Sequence, residues 1–178
     1  MIGNISEIKY IKGFMKKNDA SFIYDYAKNH SEKFSEYGND RKEFLTNNQI
    51  FNKDMNKNVQ LLMQQYAKMV YNFVVNQYSE TSFLPFIPEL THIAKFSDGD
   101  SMHQHFDVSR PNDIATLIYI NDNYEGGEIF FPEYDLFIKP ESGDLVTFPD
   151  NEKFVHGVKK VINGDRYTMP RWFTRQIW

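Results

Sequence analysis

The sequence predicts an α+β domain, mainly β, in which two N-terminal helices support a sandwich or barrel of short strands. Three observations point there. The first half of the chain carries two amphipathic stretches at helical spacing. From Glu89 onward the pattern changes to short apolar or alternating segments punctuated by Gly, Pro, Asn and Asp, and many short strands with little helix make a sandwich or barrel. Composition agrees: 178 residues suit one domain with a sizeable core, and aromatics reach 16%, with 16 Phe and 11 Tyr.

In chain order, Glu7 to Phe14 alternates polar and apolar residues and predicts a short strand. Asn18 and Asp19 supply an N-cap for a helix from Ala20 to about His30, with Phe22, Ile23, Tyr26 and Ala27 on one face. Residues 31–53 are polar and irregular apart from Phe44-Leu45 and Ile50-Phe51, and read as a surface loop. A second helix runs from about Asn56 to Tyr78, where Leu61, Leu62, Met69, Val70, Phe73 and Val74 form a stripe for packing on a sheet. Pro85 and Pro88 turn the chain after it. Strands are expected at 89–96, 103–107, 114–121, 127–131, 135–138, 144–149, 153–160 and 166–175. The turn signals between them include Asp98-Gly99, Arg110 to Asp113, Glu125-Gly126-Gly127, Pro140 to Gly143 and Asn163-Gly164-Asp165. No repeat or low-complexity tract divides the chain, so one domain over 1–178 is expected, with 1–88 as support and 89–178 as the core.

Composition also excludes. With no cysteine there is neither a disulfide framework nor thiolate chemistry. The N-terminus lacks a basic region followed by a long apolar run, so no signal peptide and no membrane span are expected, and a cytoplasmic protein is. A net charge of −4 argues against a nucleic-acid binder, because phosphate neutralisation calls for a basic surface.

The chemistry concentrates at His105, Asp107, His156 and Arg166. His105 and Asp107 are two apart, so a regular strand would carry both on one face, as two ligands of one ion require. With His156 they make a 2-His-1-carboxylate set, which leaves coordination positions open and is diagnostic of non-haem Fe(II) oxygenases. Arg166 offers a planar, permanently charged fork for a carboxylate that chelates the metal through its other end. Of the remaining histidines, His30 ends a polar helix and His92 lies in an apolar strand. His103 would share a face with His105 in a regular strand, but only His105 has Asp two residues on. Thr147 falls on a strand expected to line the barrel and carries no assigned role.

The ordered series Phe96 to Asp100, His105 to Asp107, Leu117 to Asn121, Glu125 to Glu128, Pro140 to Pro149, His156 to Val158, Gly164 to Tyr167 and Trp172-Phe173 resembles the 2-oxoglutarate- and Fe(II)-dependent dioxygenases, in their prolyl 4-hydroxylase-like branch. The resemblance implies a distorted double-stranded β-helix, jelly-roll or cupin-like, buttressed by the N-terminal helices. It implies Fe(II) on His105, Asp107 and His156. It also implies 2-oxoglutarate with its far carboxylate on Arg166 and Tyr119, and Trp172 as part of the pocket wall. O2 and 2-oxoglutarate would be consumed, succinate and CO2 released, and ascorbate would serve as reductant. The implied partner is a proline-containing peptide or protein; oligomeric state stays open.

Two departures stand out. Many relatives carry tyrosine where this chain has Phe96, and lysine where it has Arg166 in secretory prolyl hydroxylases. The Arg disfavours a collagen-type enzyme; the Phe removes a hydroxyl from the co-substrate pocket. Gly126-Gly127 and Asn121 read as plain turn and loop residues. The rivals are an alkyl-repair dioxygenase on nucleic acid, a non-catalytic β-helix module that binds a ligand, and a metal-dependent hydrolase or isomerase on a cupin-like barrel. The repair enzymes carry a spacing of two arginines that Arg166 and Arg171 do not reproduce, a non-catalytic module would have lost a ligand, and a hydrolase has no need of Arg166.

Overall fold

The computed structural model describes residues 4–36, 48–51, 55–78, 82–83, 91–107 and 113–176. Two antiparallel sheets and two helices organise these residues. The larger sheet runs in the order β1 (Lys9–Ile11), β11 (Leu145–Asp150), β7 (Asp113–Tyr119), β14 (Arg166–Gln176), β5 (His92–Phe96), β3 (Asn48–Phe51) and β2 (Ser35–Glu36), and β4 (Ser82–Phe83) pairs with β14. The smaller sheet runs β10 (Leu136–Ile138), β9 (Ile129–Phe131), β12 (His156–Val158) and β6 (Met102–His105), and a third pair joins β8 (Glu125–Gly126) to β13 (Val161–Ile162). Two facing sheets of short antiparallel strands are the double-stranded β-helix arrangement that the sequence resemblance implies.

The helices cover the outer face of the larger sheet. Helix α1 (Lys17–Asn29) buries Ala20, Ile23 and Ala27, and α2 (Lys57–Gln77) buries Val59, Met63, Tyr66, Ala67, Val70 and Val74. These pack with Ile114, Ile118, Leu145, Tyr167, Met169 and Phe173 into one core. A second core fills the space between the sheets, from Ala115, Tyr119, Ile129, Phe131, Ile138, Val146, Phe148 and Phe154. Every residue of β11 is buried, because this strand has the helices on one face and the smaller sheet on the other. That is why its sequence is an apolar run without alternation. Pro170, in mid-strand, falls beyond Thr168↔Ala94, the last β14–β5 pair, so the N–H it lacks interrupts no β5 pairing there.

Several expectations change. The cap of α1 is Lys16, whose side chain makes no capping bond; Asp19 lies inside the first turn and accepts a 2.6 Å hydrogen bond from the Tyr66 hydroxyl. Asn56 does cap α2, accepting from the Asn58 amide at 2.9 Å. Phe22, Leu61 and Met69 are exposed, so the buried stripes are rotated from the expected ones, to Ala20, Ile23 and Ala27 in α1 and to a face that includes Met63, Tyr66 and Ala67 in α2. The 31–53 stretch is no plain loop: Asn48–Phe51 pairs with β5 and buries Ile50. Its Phe44-Leu45 portion, the Pro85–Pro88 turn and most of the Arg110–Asp113 turn lie outside the described residues. No helix among the described residues is long and apolar enough to cross a membrane.

Candidate active site

Strands β6 and β12 lie side by side, and their register sets His105 directly across from His156. The two rings are 4.5 Å apart between centroids. Each Nδ1 sits against a main-chain carbonyl two residues back: His105 on His103 at 2.8 Å, His156 on Phe154 at 3.1 Å. A carbonyl can only accept, so Nδ1 carries a proton in both rings, and in the neutral ring of His156 Nε2 keeps its lone pair, as a metal-ligating histidine requires. Burial, with the neighbouring His105 adding to it, lowers the His156 pKa to about 4, and His156 is neutral at physiological pH. Phe148 and Phe131 wall it, with ring centroids at 4.6 Å and 6.0 Å.

The same pairing separates His103 from His105. A register shift between His156 and Val158 pairs Val158 with Met102, so the regular alternation is broken and His103 ends up exposed. Asp107 corrects a premise in the other direction. Strand β6 stops at His105, so Asp107 is placed not by strand alternation but by its own amide, which donates to Asp150 Oδ1 at 3.0 Å. Its charge reaches His156, opposing the fall in that pKa. Among the described residues no three His, Asp or Glu side chains are gathered closely enough to hold an ion. The structure brings His105 and His156 together and leaves Asp107 close by, not closed onto them.

The other end of the space between the sheets holds Arg166, the first residue of β14, fully buried and paired in register with Phe96. Its Nη2 donates to the Tyr119 hydroxyl at 3.1 Å, and its guanidinium lies 4.8 Å from the Tyr119 ring centroid and 5.1 Å from that of Phe96. Nε and Nη1 have no partner, and neither ion pair found among the described residues includes Arg166. A buried cation without a counter-charge costs several kcal/mol or more, so the site calls for an anion. Burial raises the Tyr119 pKa, and its phenol stays neutral; the oxygen accepts from Arg166 and leaves the O–H free to donate. Tyr119 belongs to the same buried cluster as Phe131 and Phe148, which touch His156. One apolar interior therefore links the guanidinium to the imidazole pair. The donor set fits a carboxylate that also reaches a metal: orphaned Arg nitrogens at one end, the His105–His156 imidazole pair at the other.

Gly127 shapes the anion end. Its φ is +65°, and a Cβ there would stand 2.8 Å from the Tyr124 ring and 3.2 Å from Arg166 Cδ. The second glycine of Glu125-Gly126-Gly127 is therefore more than a turn residue, since it lets Tyr124 and Arg166 close over it. Tyr124 is the residue that sequence reasoning missed; an aromatic directly before the Glu-Gly-Gly turn was the available signal. Asn121 shapes its loop as expected, donating to Asp165 O at 2.8 Å and accepting from the Tyr167 amide at 2.8 Å. Thr147 shares the face of Leu145, toward the helices and away from the barrel interior. Trp172 is no core residue: it is 44% exposed and stacks on His92 with ring planes 12° apart.

Comparison with known proteins agrees with this fold. Residues 91–174 match the model of the 2OG-Fe(II) oxygenase superfamily. Prolyl 3-hydroxylase 2 of Rattus norvegicus is 40% identical over 67 residues, covering 35% of this chain and 10% of that protein. The matched segment is thus about a tenth of the length of the curated relatives. A Pseudomonas putida prolyl-4-hydroxylase structure superposes with a TM-score of 0.73 at 16% identity, covering 96% of this chain and 94% of that one. A Trichoplax adhaerens prolyl hydroxylase, solved with a hypoxia inducible factor oxygen degradation domain peptide fragment, gives a TM-score of 0.78 at 15% identity, covering 96% and 84%. Residues 91–174 are thus similar in sequence to the 2OG-Fe(II) oxygenase superfamily, whose name carries Fe(II) and 2-oxoglutarate, and the fold is the one its solved neighbours share.

Proposed function

We propose that this chain is an Fe(II)- and 2-oxoglutarate-dependent dioxygenase that hydroxylates a prolyl residue of a peptide or protein, at C4 in the leading reading. The observation that carries it is Arg166, fully buried with two unpartnered nitrogens in the same interior that the His105–His156 pair faces. His105, His156 and Asp107 are the residues that would hold the metal. Arg166 and Tyr119 bind the far carboxylate of the co-substrate, the first by its charged fork and the second by its free O–H. Phe131 and Phe148 keep water from His156, and Trp172 stands at the rim on the face of β14 that carries Arg166. Bound iron, 2-oxoglutarate and O2 supply the oxidation of the substrate C–H bond, with release of succinate and CO2 and with ascorbate as reductant. The protein contributes position, charge and exclusion of solvent.

The structural neighbours include a prolyl-4-hydroxylase, while the curated sequence relatives are prolyl 3-hydroxylases, which supports C3 as the second reading. The test is succinate formation with Fe(II), ascorbate and a panel of proline-containing peptides, with methylated oligonucleotides in parallel. Stimulation by a peptide, with hydroxyproline found by mass and its position by NMR, is expected. Stimulation by the oligonucleotides alone would replace this reading with the repair activity.

A further inference from the structure

Tyr124 has a buried hydroxyl that makes no well-formed hydrogen bond and lies close enough to Arg166 to feel only a weak one. It lies near enough to Arg166 for that charge to oppose the rise in its pKa that burial causes. Its ring is fixed from two sides. Gly127 lies under it, where a Cβ would stand 2.8 Å away, and the Lys139 ammonium sits over it at 3.9 Å from the centroid. That ammonium is itself tied to the carbonyls of Tyr124, at 3.1 Å, and Gly126. A phenylalanine would fill the same space without an orphaned oxygen, and an unsatisfied buried hydroxyl is a cost. Across the guanidinium stands Phe96, which has no hydroxyl to offer.

We propose that Tyr124 is a co-substrate-binding residue, donating its hydroxyl to the same carboxylate that Arg166 and Tyr119 hold and supplying the donor that Phe96 lacks. The count is consistent. Arg166 Nε and Nη1 carry three N–H between them, and the Tyr119 and Tyr124 hydroxyls add two O–H, enough to fill the about four lone-pair sites that a carboxylate presents. The neutral phenol, held rigid by Lys139 and Gly127, needs no rearrangement to bind. The inference rests on the 2-oxoglutarate reading above and deepens it toward the selectivity for a 2-oxo acid with a second carboxylate.

The test is calorimetric titration of 2-oxoglutarate, and of 2-oxobutyrate, which lacks that carboxylate, into the Mn(II)-loaded chain and its Y124F, Y119F and R166M variants. Y124F is expected to raise the 2-oxoglutarate Kd about tenfold or more and to leave 2-oxobutyrate binding unchanged. Its ligand-free melting point should equal or exceed that of wild type, because the variant deletes only an orphaned atom. A Kd for Y124F within twofold of wild type, with Y119F and R166M both weakened, overturns the role of Tyr124 and leaves the clamp standing. No weakening in R166M, or no binding by wild type, overturns the clamp and this inference together.

Discussion

Replacing Arg166 with methionine separates what a buried cation does for the fold from what it does for a ligand. The guanidinium is fully buried, donates one hydrogen bond to Tyr119 and leaves Nε and Nη1 unpaired. Two orphaned donors cost roughly 2–6 kcal/mol, at about 1–3 kcal/mol each. Removing the head group forfeits the Tyr119 bond and the contacts with the Tyr119 and Phe96 rings, together roughly 2–4 kcal/mol. Methionine keeps much of the stem and adapts to irregular space. The two sums overlap, so the ligand-free variant should melt close to wild type. A buried arginine with a partner inside the protein behaves otherwise: its truncation costs about 3–5 kcal/mol, a fall in Tm of roughly 6–20 °C for a chain of this size. With 2-oxoglutarate at a hundredfold its Kd, wild type should gain about 2.7 kcal/mol, roughly 5–11 °C, and R166M nothing. Melting curves of the Mn(II)-loaded proteins with and without 2-oxoglutarate decide it. A large loss of ligand-free stability, or a ligand-dependent rise that survives in R166M, would refute the reasoning.

Gly127 separates turn from packing. Gly127→Ala meets both an unfavourable φ and the Tyr124 ring, and should destabilise by about 2–5 kcal/mol. Gly127→Asn tolerates the φ but not the contact, so its Tm should fall nearly as far; recovery with Asn would mean a plain turn. His105→Ala should abolish succinate formation and lower Mn(II) affinity in a titration, and full activity would remove it from the ligand set. Because the His156 pKa falls from 6.5 unfolded to about 4 folded, the unfolded chain binds the extra proton between those values. Stability of the metal-free protein should therefore be intact above pH 6.5 and fall by about 3 kcal/mol as pH drops toward 4, with the slope reduced in His156→Gln; an equal slope in both would assign it to another group.

His105, His156 and Arg166 stood out in the sequence through the ordered series of motifs around them, since singly each reads as an ordinary strand or surface residue; the structure sets the two imidazoles side by side and buries the arginine. The sequence could not show that β6 breaks its alternation between Met102 and His105, because a bulge depends on the partner strand, β12. The same-face argument for His105 and Asp107 therefore rested on a regular strand that ends too early. Strand β3 hid inside a polar stretch because Ile50-Phe51 is too short to show a period, and pairing with β5 and β2 stabilises it. Tyr124 was missed for a different reason. An aromatic before the Glu-Gly-Gly turn reads as packing until Arg166, some forty residues on, is known to lie beside its hydroxyl.

The two ends of the site are built to different tolerances, and this bears on how stability and affinity are linked. Arg166 and Tyr119 come from β14 and β7, neighbours in the middle of the larger sheet whose register runs from Thr168↔Tyr119 to Thr174↔Asp113. Such a pairing fixes the guanidinium and the phenol against one another before any ligand arrives. The imidazoles come from β12 and β6, strands of three and four residues joined across a register shift, with Asp107 beyond the strand end. The anion end is thus preorganised at a cost to the ligand-free fold, since Arg166 Nε and Nη1 are buried there without partners. A carboxylate that satisfies those groups returns the cost as affinity, so variants that remove the orphaned donors should lose binding without losing stability. The opposite pairing, stability and binding lost in step, would indicate that these groups serve the fold alone.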